Sequence, residues 1–304
     1  MKLYCEMKSL KGMKMLMNIG IIGGGSLGLL IGSYLGKHDQ TTIYVRRQEQ
    51  KTKLLSHGIN RSQECIPVQA KTYDNMQQED LLIVCLKQYD LATVIPYINQ
   101  SNWQTPTIFL QNGMGHIKWL KQMKQPIIVG VVEHGAFRVN DYTVKHTGIG
   151  QIKLAPFQRV SQLMKPIQST IQANHFPVII DSDWERLLVD KLVINAAINP
   201  LTAIFKIKNG ELLTNDHVYQ LLKKLTYETA NILNLNPVEQ LKRVQTIAQQ
   251  TALNDSSMLQ DIQTNGRTEI EAISGYLLEQ RSEMEKPYTT FVYYGVKALE
   301  LRGC

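Results

Sequence analysis

The chain is predicted to fold as an α/β protein, an N-terminal doubly wound domain followed by an all-helical one. Three observations predict it. Short β-branched runs alternate with helical patterns up to about residue 180, a glycine-rich turn joins the first run to the first helix, and beyond Asp183 apolar residues recur at spacings of three and four. Strands and helices alternating at this spacing build a parallel sheet covered on both faces.

Residues 18–23, NIGIIG, form a short β-branched strand that ends in glycines. Residues 27–35 then have the apolar density of a helix that packs on both sides. Residues 41–45, TTIYV, make the second strand, and the polar stretch 48–57 the second helix. Continuous apolar runs at 81–86, 107–110 and 127–132 read as buried strands of the same sheet. In the second half, helices are expected at 187–198, 217–233, 237–253 with Pro237 in the first turn, and 269–285. The boundary falls near residues 180–183 with no Gly/Ser linker, which divides the chain into 17–182 and 183–304 and leads us to expect close packing of the two parts.

The 304 residues carry 33 Lys and Arg against 26 Asp and Glu, a net charge of +7, and the pI is about 9.1. Hydrophobic residues make up 43% and charged residues 19%, which excludes a disordered chain. No run of about 18 uninterrupted apolar residues exists, so no membrane-spanning segment is expected. The four cysteines form no C-x-x-C pair and no metal-like cluster with histidine, which suits a reducing cytoplasm, and no metal site is expected. Residues 1–16 read as a flexible or non-native lead-in, with Met17 as the expected start. They hold four lysines and one glutamate, so +3 of the +7 lies there. No basic helix interleaved with aromatics accompanies the high pI, so nucleic acid is not an expected partner.

Gly23-Gly24-Gly25-Ser26-Leu27-Gly28 satisfies G-x-G-x-x-G directly after a strand and at the start of a helix, the context in which such a turn binds a dinucleotide pyrophosphate. The alternative is a glycine turn without a ligand. After the second strand the chain has Arg46-Arg47 where a cofactor without a 2'-phosphate calls for Asp or Glu, so NADP(H) is favoured over NAD(H). Arg47 continues the alternation of Ile43 and Val45 and is slightly preferred, although a solvated basic pair would look the same. Lys191, Asn195 and Asn199 recur every four residues in an otherwise apolar helix and fall within an arc of about 80°. They either satisfy one another or line a substrate cleft, and the pattern alone does not separate these. Glu269 and Glu271 at the start of a helix, and Asp255-Ser256-Ser257 before Met258, read first as capping and dipole compensation. Asn112-Gly113 and Lys87 each follow a strand, at the carboxyl ends where ligands bind in open α/β sheets, though an ordinary turn and a surface lysine would fit as well.

Taken in order, these segments resemble the 2-dehydropantoate 2-reductase (ketopantoate reductase) family. The resemblance runs from about Asn18 to near the C-terminus. It is carried by the glycine fingerprint, Cys85-Leu-Lys87, Gln111-Asn-Gly-Met-Gly115, His146-Thr-Gly-Ile-Gly150, Lys191-Leu-Val-Ile-Asn195-Ala-Ala-Ile-Asn199-Pro-Leu-Thr-Ala203, Asn209-Gly-Glu211, Ser256-Ser-Met-Leu-Gln-Asp261 and Thr268-Glu-Ile-Glu-Ala-Ile-Ser-Gly275. It implies a Rossmann domain, a C-terminal helical domain of the 6-phosphogluconate dehydrogenase type, and an active site between them. The reaction it implies is NADPH-dependent reduction of 2-dehydropantoate to (R)-pantoate in pantothenate biosynthesis.

Carried over by position, the resemblance makes Lys191 the proton donor and Glu269 a catalytic residue that also binds ligands. The fingerprint, residues Gly23, Gly24, Gly25, Ser26, Leu27 and Gly28, would hold the cofactor with Arg46, Arg47, Lys87, Asn112 and Glu269. Asn112, Lys191, Asn195, Asn199, Asn209 and Ser257 would hold the substrate. The lysine is expected to keep its ordinary pKa of about 10.4, helped by Glu269. A homodimer fits the family. Two positions depart from its pattern, Val189 where relatives often carry Trp, and Ala155-Pro156 where a glycine is common. Other readings are a reductase of another branched 2-keto acid, and an NADPH-sensing regulator, which has no need of Lys191, Asn195, Asn199, Ser257 and Glu269 together.

Overall fold

The computed structural model describes residues 17–99, 104–172 and 174–302. The lead-in 1–16 and Cys304 lie outside the described residues. The first half runs β1 (Asn18–Ile22), α1 (Ser26–Leu35), β2 (Gln40–Val45), α2 (Gln48–His57), β3 (Ile59–Arg61), β4 (Glu64–Ile66), β5 (Gln69–Thr72), β6 (Leu81–Val84), α3 (Leu91–Asn99), β7 (Thr107–Phe109), α4 (Ile117–Leu120), β8 (Ile127–Val132), β9 (Gly135–Arg138), β10 (Thr143–Gly148), β11 (Ile152–Gln158), α5 (Met164–Gln172) and β12 (Val178–Ile180).

Six strands pair in parallel in the order β5-β2-β1-β6-β7-β8. This is the doubly wound dinucleotide-binding order, with its switch point beside β1. β11 adds antiparallel to β8, and β12 parallel to β11. The apolar runs expected as strands are strands because helices cover the sheet, leaving every residue of β6 and β7 buried. Pro156 lies in β11 beyond the last residue paired with β12, and the register with β8 shifts just after it. Its missing N–H therefore breaks no ladder there.

A second sheet, β4-β3-β10-β9, was not singled out by the sequence reading. Its strands are short and mixed in polarity. The turn between β3 and β4 places Ser62 and Gln63 at φ of 52° and 69°, the left-handed pair that a tight hairpin needs but that these residue types do not advertise. This sheet covers the outer side of α1, which contacts β3, β9 and β10 as well as β1 and β2. Sheets on both sides explain why α1 has almost no polar face.

The second half comprises α6 (Trp184–Phe205), α7 (Glu211–Thr214), α8 (Asp216–Ile232), α9 (Pro237–Gln250), α10 (Ser257–Gln263), a π-helical turn (Glu271–Gly275), α11 (Tyr276–Glu279) and α12 (Pro287–Arg302). Polar caps set the starts. The Asp183 carboxylate accepts from the Arg186 N–H, Asn215 from His217 and Val218, Asn236 from Val238 and Glu239, and Ser256 from Leu259. Two expectations need correction, and one further helix is added to them. The helix at 187–198 continues through Pro200 to Phe205, with the Thr202 hydroxyl donating to the Ile198 and Asn199 carbonyls in the turn beyond the proline. The helix at 269–285 is a π turn and one α turn that stop at Glu279, because Gln280 is extended and Arg281 is left-handed at φ 45°. A final 16-residue helix from Pro287 had not been delimited.

α6 is the hub of this half and packs against α8, α9, α10 and α12. It is also long and apolar enough to cross a membrane, but 67% of its most apolar window is buried inside the fold. One core runs through both halves, joining Ile22, Val84 and Phe109 of the sheet to Leu187, Leu192, Ile273 and Leu277. The halves are thus held against each other by shared apolar burial, as the absence of a linker led us to expect. Val189, at one departure from the family pattern, packs half-buried on the same core.

Candidate active site

The glycine fingerprint turns from β1 into α1. Gly23 has φ of 112°, and a side chain at Gly28 would begin 1.8 Å from the Gly23 carbonyl oxygen, so neither position accepts another residue without moving the turn. A side chain at Gly25 would meet nothing within 4 Å. Open space therefore lies in front of the helix end, where Gly25 is the N-cap with no side-chain cap bond and the first N–H groups of α1 are free for an anion. The turn is fixed from outside: the Gln50 amide donates to the Gly24 carbonyl at 2.7 Å and the Asp141 carbonyl at 3.0 Å, and the Arg138 N–H donates to the Ser26 hydroxyl at 3.1 Å. These features fit a pyrophosphate.

Arg46 and Arg47 follow β2 at the rim of that space, both exposed. Arg47 bonds to the Asp141 carboxylate and lies 3.5 Å from Glu49, while among the described residues Arg46 pairs only with Asp90, at 3.8 Å. Lys53 also reaches Asp141, at 3.1 Å. Arg46 is the more exposed, with 71% of its side chain open to solvent against 44% for Arg47. The alternation argument that preferred Arg47 does not capture this difference.

Across the sheet's carboxyl edge, residues from both halves meet. Glu269 is buried, accepts from the Asn112 amide at 2.8 Å and lies 3.6 Å from the Lys87 ammonium. Lys87 also pairs with Asp261 at 2.9 Å. Burial alone would lower the Lys87 pKa, but Glu269 and Asp261 more than offset it and hold the ammonium above its ordinary value. Burial raises the Asp261 carboxyl, with Lys87 opposing. The close approach depends on Gly113, which has φ of 76°, because a side chain there would begin 2.1 Å from the Ala272 carbonyl oxygen in the π turn. Single π turns inside helices are frequent at functional sites, and this one lies two residues past Glu269.

Lys191 points from α6 to the carboxyl end of β8, where its ammonium donates to the Val132 carbonyl. Burial lowers its pKa to about 8, opposed by the Glu133 and Glu269 carboxylates and reinforced by the Lys153 ammonium. The expectation of an ordinary lysine pKa is therefore corrected: Glu269 acts in the expected direction but desolvation is larger. Glu133 is itself held by Lys153 at 2.6 Å and by the Gln151 amide at 2.9 Å.

Asn195 stands one turn beyond Lys191, half-buried. One turn further, the Asn199 amide lies 3.5 Å from the Ser257 hydroxyl. The cluster Asp255-Ser256-Ser257 divides its work: Ser256 is the N-cap, and its hydroxyl pairs at 2.7 Å with the Thr202 oxygen, whose own proton goes to the α6 carbonyls, which leaves the Ser257 hydroxyl turned to Asn199. Asn209 is buried and tied by its backbone N–H to the Asn254 carbonyl at 3.1 Å. The structure thus groups Lys87, Asn112 and Glu269, and separately Asn199 and Ser257, with Lys191 and Asn195 along the same α6 as Asn199. The sequence reading gave no role to Asp261, Asp141 or the Val132 carbonyl. Asp261 carried a signal, since four residues from Ser257 it shares a helix face with a candidate substrate residue. A backbone carbonyl carries none.

The family described as ketopantoate reductase PanE/ApbA matches residues 19–159, and its C-terminal part matches residues 183–300. The 2-dehydropantoate 2-reductase of Bacillus subtilis (strain 168) is 41% identical over 294 residues, which cover 93% of this chain and 98% of that protein. A crystal structure described as a probable 2-dehydropantoate 2-reductase from Bacillus subtilis has a TM-score of 0.83 at 41% identity, covering 93% of this chain and all of the other. D-mandelate dehydrogenase with NADH and anilino(oxo)acetate has a TM-score of 0.87 at 20% identity over 94% of this chain and 99% of that one, a likeness of fold. With matches over both halves and a close relative aligned nearly end to end, this chain belongs to the ketopantoate reductase family.

Proposed function

We propose that this chain reduces 2-dehydropantoate to (R)-pantoate with NADPH, in the synthesis of pantothenate. The observation that carries the reading is a half-buried lysine, Lys191, at the carboxyl edge of a dinucleotide-binding sheet, with Glu269 among the carboxylates that act on its charge. The fingerprint Gly23 to Gly28 holds the pyrophosphate on the free N–H groups of α1, Arg46 and Arg47 hold the 2'-phosphate, and Lys87, Asn112 and Glu269 stand at the inner end. The bound cofactor supplies a hydride to the 2-keto carbon. Negative charge grows on the ketone oxygen, where the Lys191 ammonium stabilises it and then donates a proton. Asn112, whose amide is fixed by Glu269, and Asn195 orient the substrate, while Asn199 and Ser257 receive its carboxylate. Prompt loss of NADPH absorbance with one pantoate formed per NADPH is the expected result on adding 2-dehydropantoate, and no consumption by pure protein would remove the reading.

Two further outcomes follow. The proton donor is the charged lysine, so with its pKa lowered to about 8 the log of kcat/KM should fall with unit slope as pH rises above about 8, and should be flat just below it on this account. In Lys191→Arg, whose guanidinium stays charged, the residual activity should lose that limb. A wild-type profile flat to pH 9.5 would count against the assignment. Replacing Arg46 and Arg47 together by alanine should lower kcat/KM for NADPH by about a hundredfold, two charge-assisted bonds at about 1.5 kcal/mol each, with NADH little changed. Equal efficiency with NADH and NADPH in the unmodified protein would show that the pair does not read the phosphate.

A further inference from the structure

Asn209 precedes the short helix α7 and is 7% exposed. Its amide nitrogen donates to the Thr251 hydroxyl oxygen at 2.9 Å, and the Thr251 hydroxyl donates to the Ile247 carbonyl at 2.7 Å. A carbonyl only accepts, so the Thr251 proton is committed to Ile247 and its oxygen is left to receive. That polarity decides which end of the Asn209 amide faces Thr251, because an amide's orientation is set by the network around it. The nitrogen must face Thr251. The oxygen is then turned away, buried, and has no hydrogen-bond partner among the described residues. An unmatched buried acceptor costs about 1–3 kcal/mol, so this position calls for a donor. The backbone N–H groups of Asn209 and Gly210 donate to Asn254 and Ala252, both at 3.1 Å, which joins the amide to the loop that leads into Ser257 and its contact with Asn199.

The carboxylate and ketone of 2-dehydropantoate are acceptors, and its primary hydroxyl is its one donor. We propose that Thr251 is a positioning residue that fixes Asn209 with its amide oxygen presented to that hydroxyl, and so sets a preference for a hydroxyl-bearing branched 2-keto acid over its unhydroxylated counterpart. This rests on the activity proposed above. Thr251 touches no substrate and acts only through the amide it orients.

The test compares kcat/KM for 2-dehydropantoate and for trimethylpyruvate, the same keto acid with hydrogen in place of the hydroxyl, each with NADPH. Wild type should favour 2-dehydropantoate. In Thr251→Val the ratio of the two should fall by about tenfold, the worth of one hydrogen bond, through a higher KM for 2-dehydropantoate. Thr251→Ser keeps the accepting oxygen and should restore the ratio. A valine that merely loosened the end of α9 would slow both keto acids alike, and inactive protein cancels from a ratio measured on one preparation. An unchanged ratio in Thr251→Val, or no preference in wild type, overturns the inference while leaving the reductase activity standing. A wild type that consumes no NADPH with 2-dehydropantoate overturns the activity first and the inference with it.

Discussion

Replacing Lys191 by alanine is expected to lower kcat by two to four orders of magnitude while NADPH still binds with near-native affinity. The side chain is asked to do two things, to meet the growing alkoxide with positive charge and to deliver the proton, and alanine does neither. The phosphate contacts expected for the cofactor come from α1 and from the residues after β2, whereas the Lys191 ammonium donates to the Val132 carbonyl at the carboxyl end of β8. A fluorescence titration with NADPH therefore separates loss of chemistry from loss of fold. Near-normal turnover in the purified variant would end the assignment. Lys191→Arg should recover little, because a planar guanidinium does not fit a site made for a compact ammonium and does not release its proton at neutral pH.

A loss of about two to three orders of magnitude in kcat/KM is expected for Glu269→Ala, shared between cofactor and substrate. Glu269 is buried, accepts the Asn112 amide at 2.8 Å and sits 3.6 Å from Lys87. Without it the Asn112 amide is released and Lys87 keeps Asp261 as its acidic partner, so one substitution frees one candidate ligand contact and removes one of the two carboxylates beside another. Glu269→Gln keeps an accepting oxygen for Asn112 and should lose less, chiefly through Lys87. Separate KM values for NADPH and the keto acid check this. Wild-type kinetics in Glu269→Ala would reduce the residue to a packing role.

The fold class was legible because its signals are local. A glycine turn between an apolar strand and an apolar helix, and strands fully covered on both faces, show in any window of ten residues. The Lys191, Asn195 and Asn199 pattern was legible for the same reason, since helical spacing alone puts them on one face. The pairing of Glu269 with Asn112 was not. These residues are 157 apart, and pattern alone read Glu269 as a helix-capping carboxylate; only the resemblance to a family suggested otherwise. The small sheet was missed because strands of three to six residues with mixed polarity have no clear period. The helix expected at 269–285 failed because its first turn is a π turn packed against Gly113 and α12 and because the chain turns left-handed at Arg281, neither of which local propensity announces.

By itself the sequence determined the strand-helix-strand unit with its anion-binding turn, the basic pair after the second strand, and the polar face of an apolar helix, because each depends on residues within a few turns of one another. Tertiary structure alone decided that Lys87, Asn112, Asp261 and Glu269 share one charged cluster, that Arg47 is partly occupied by Asp141, and that the Lys191 pKa falls to about 8. These are matters of burial and of charge across chain-distant contacts. Desolvation and Coulomb interaction depend on distance in space, and the packing of the two halves sets that distance.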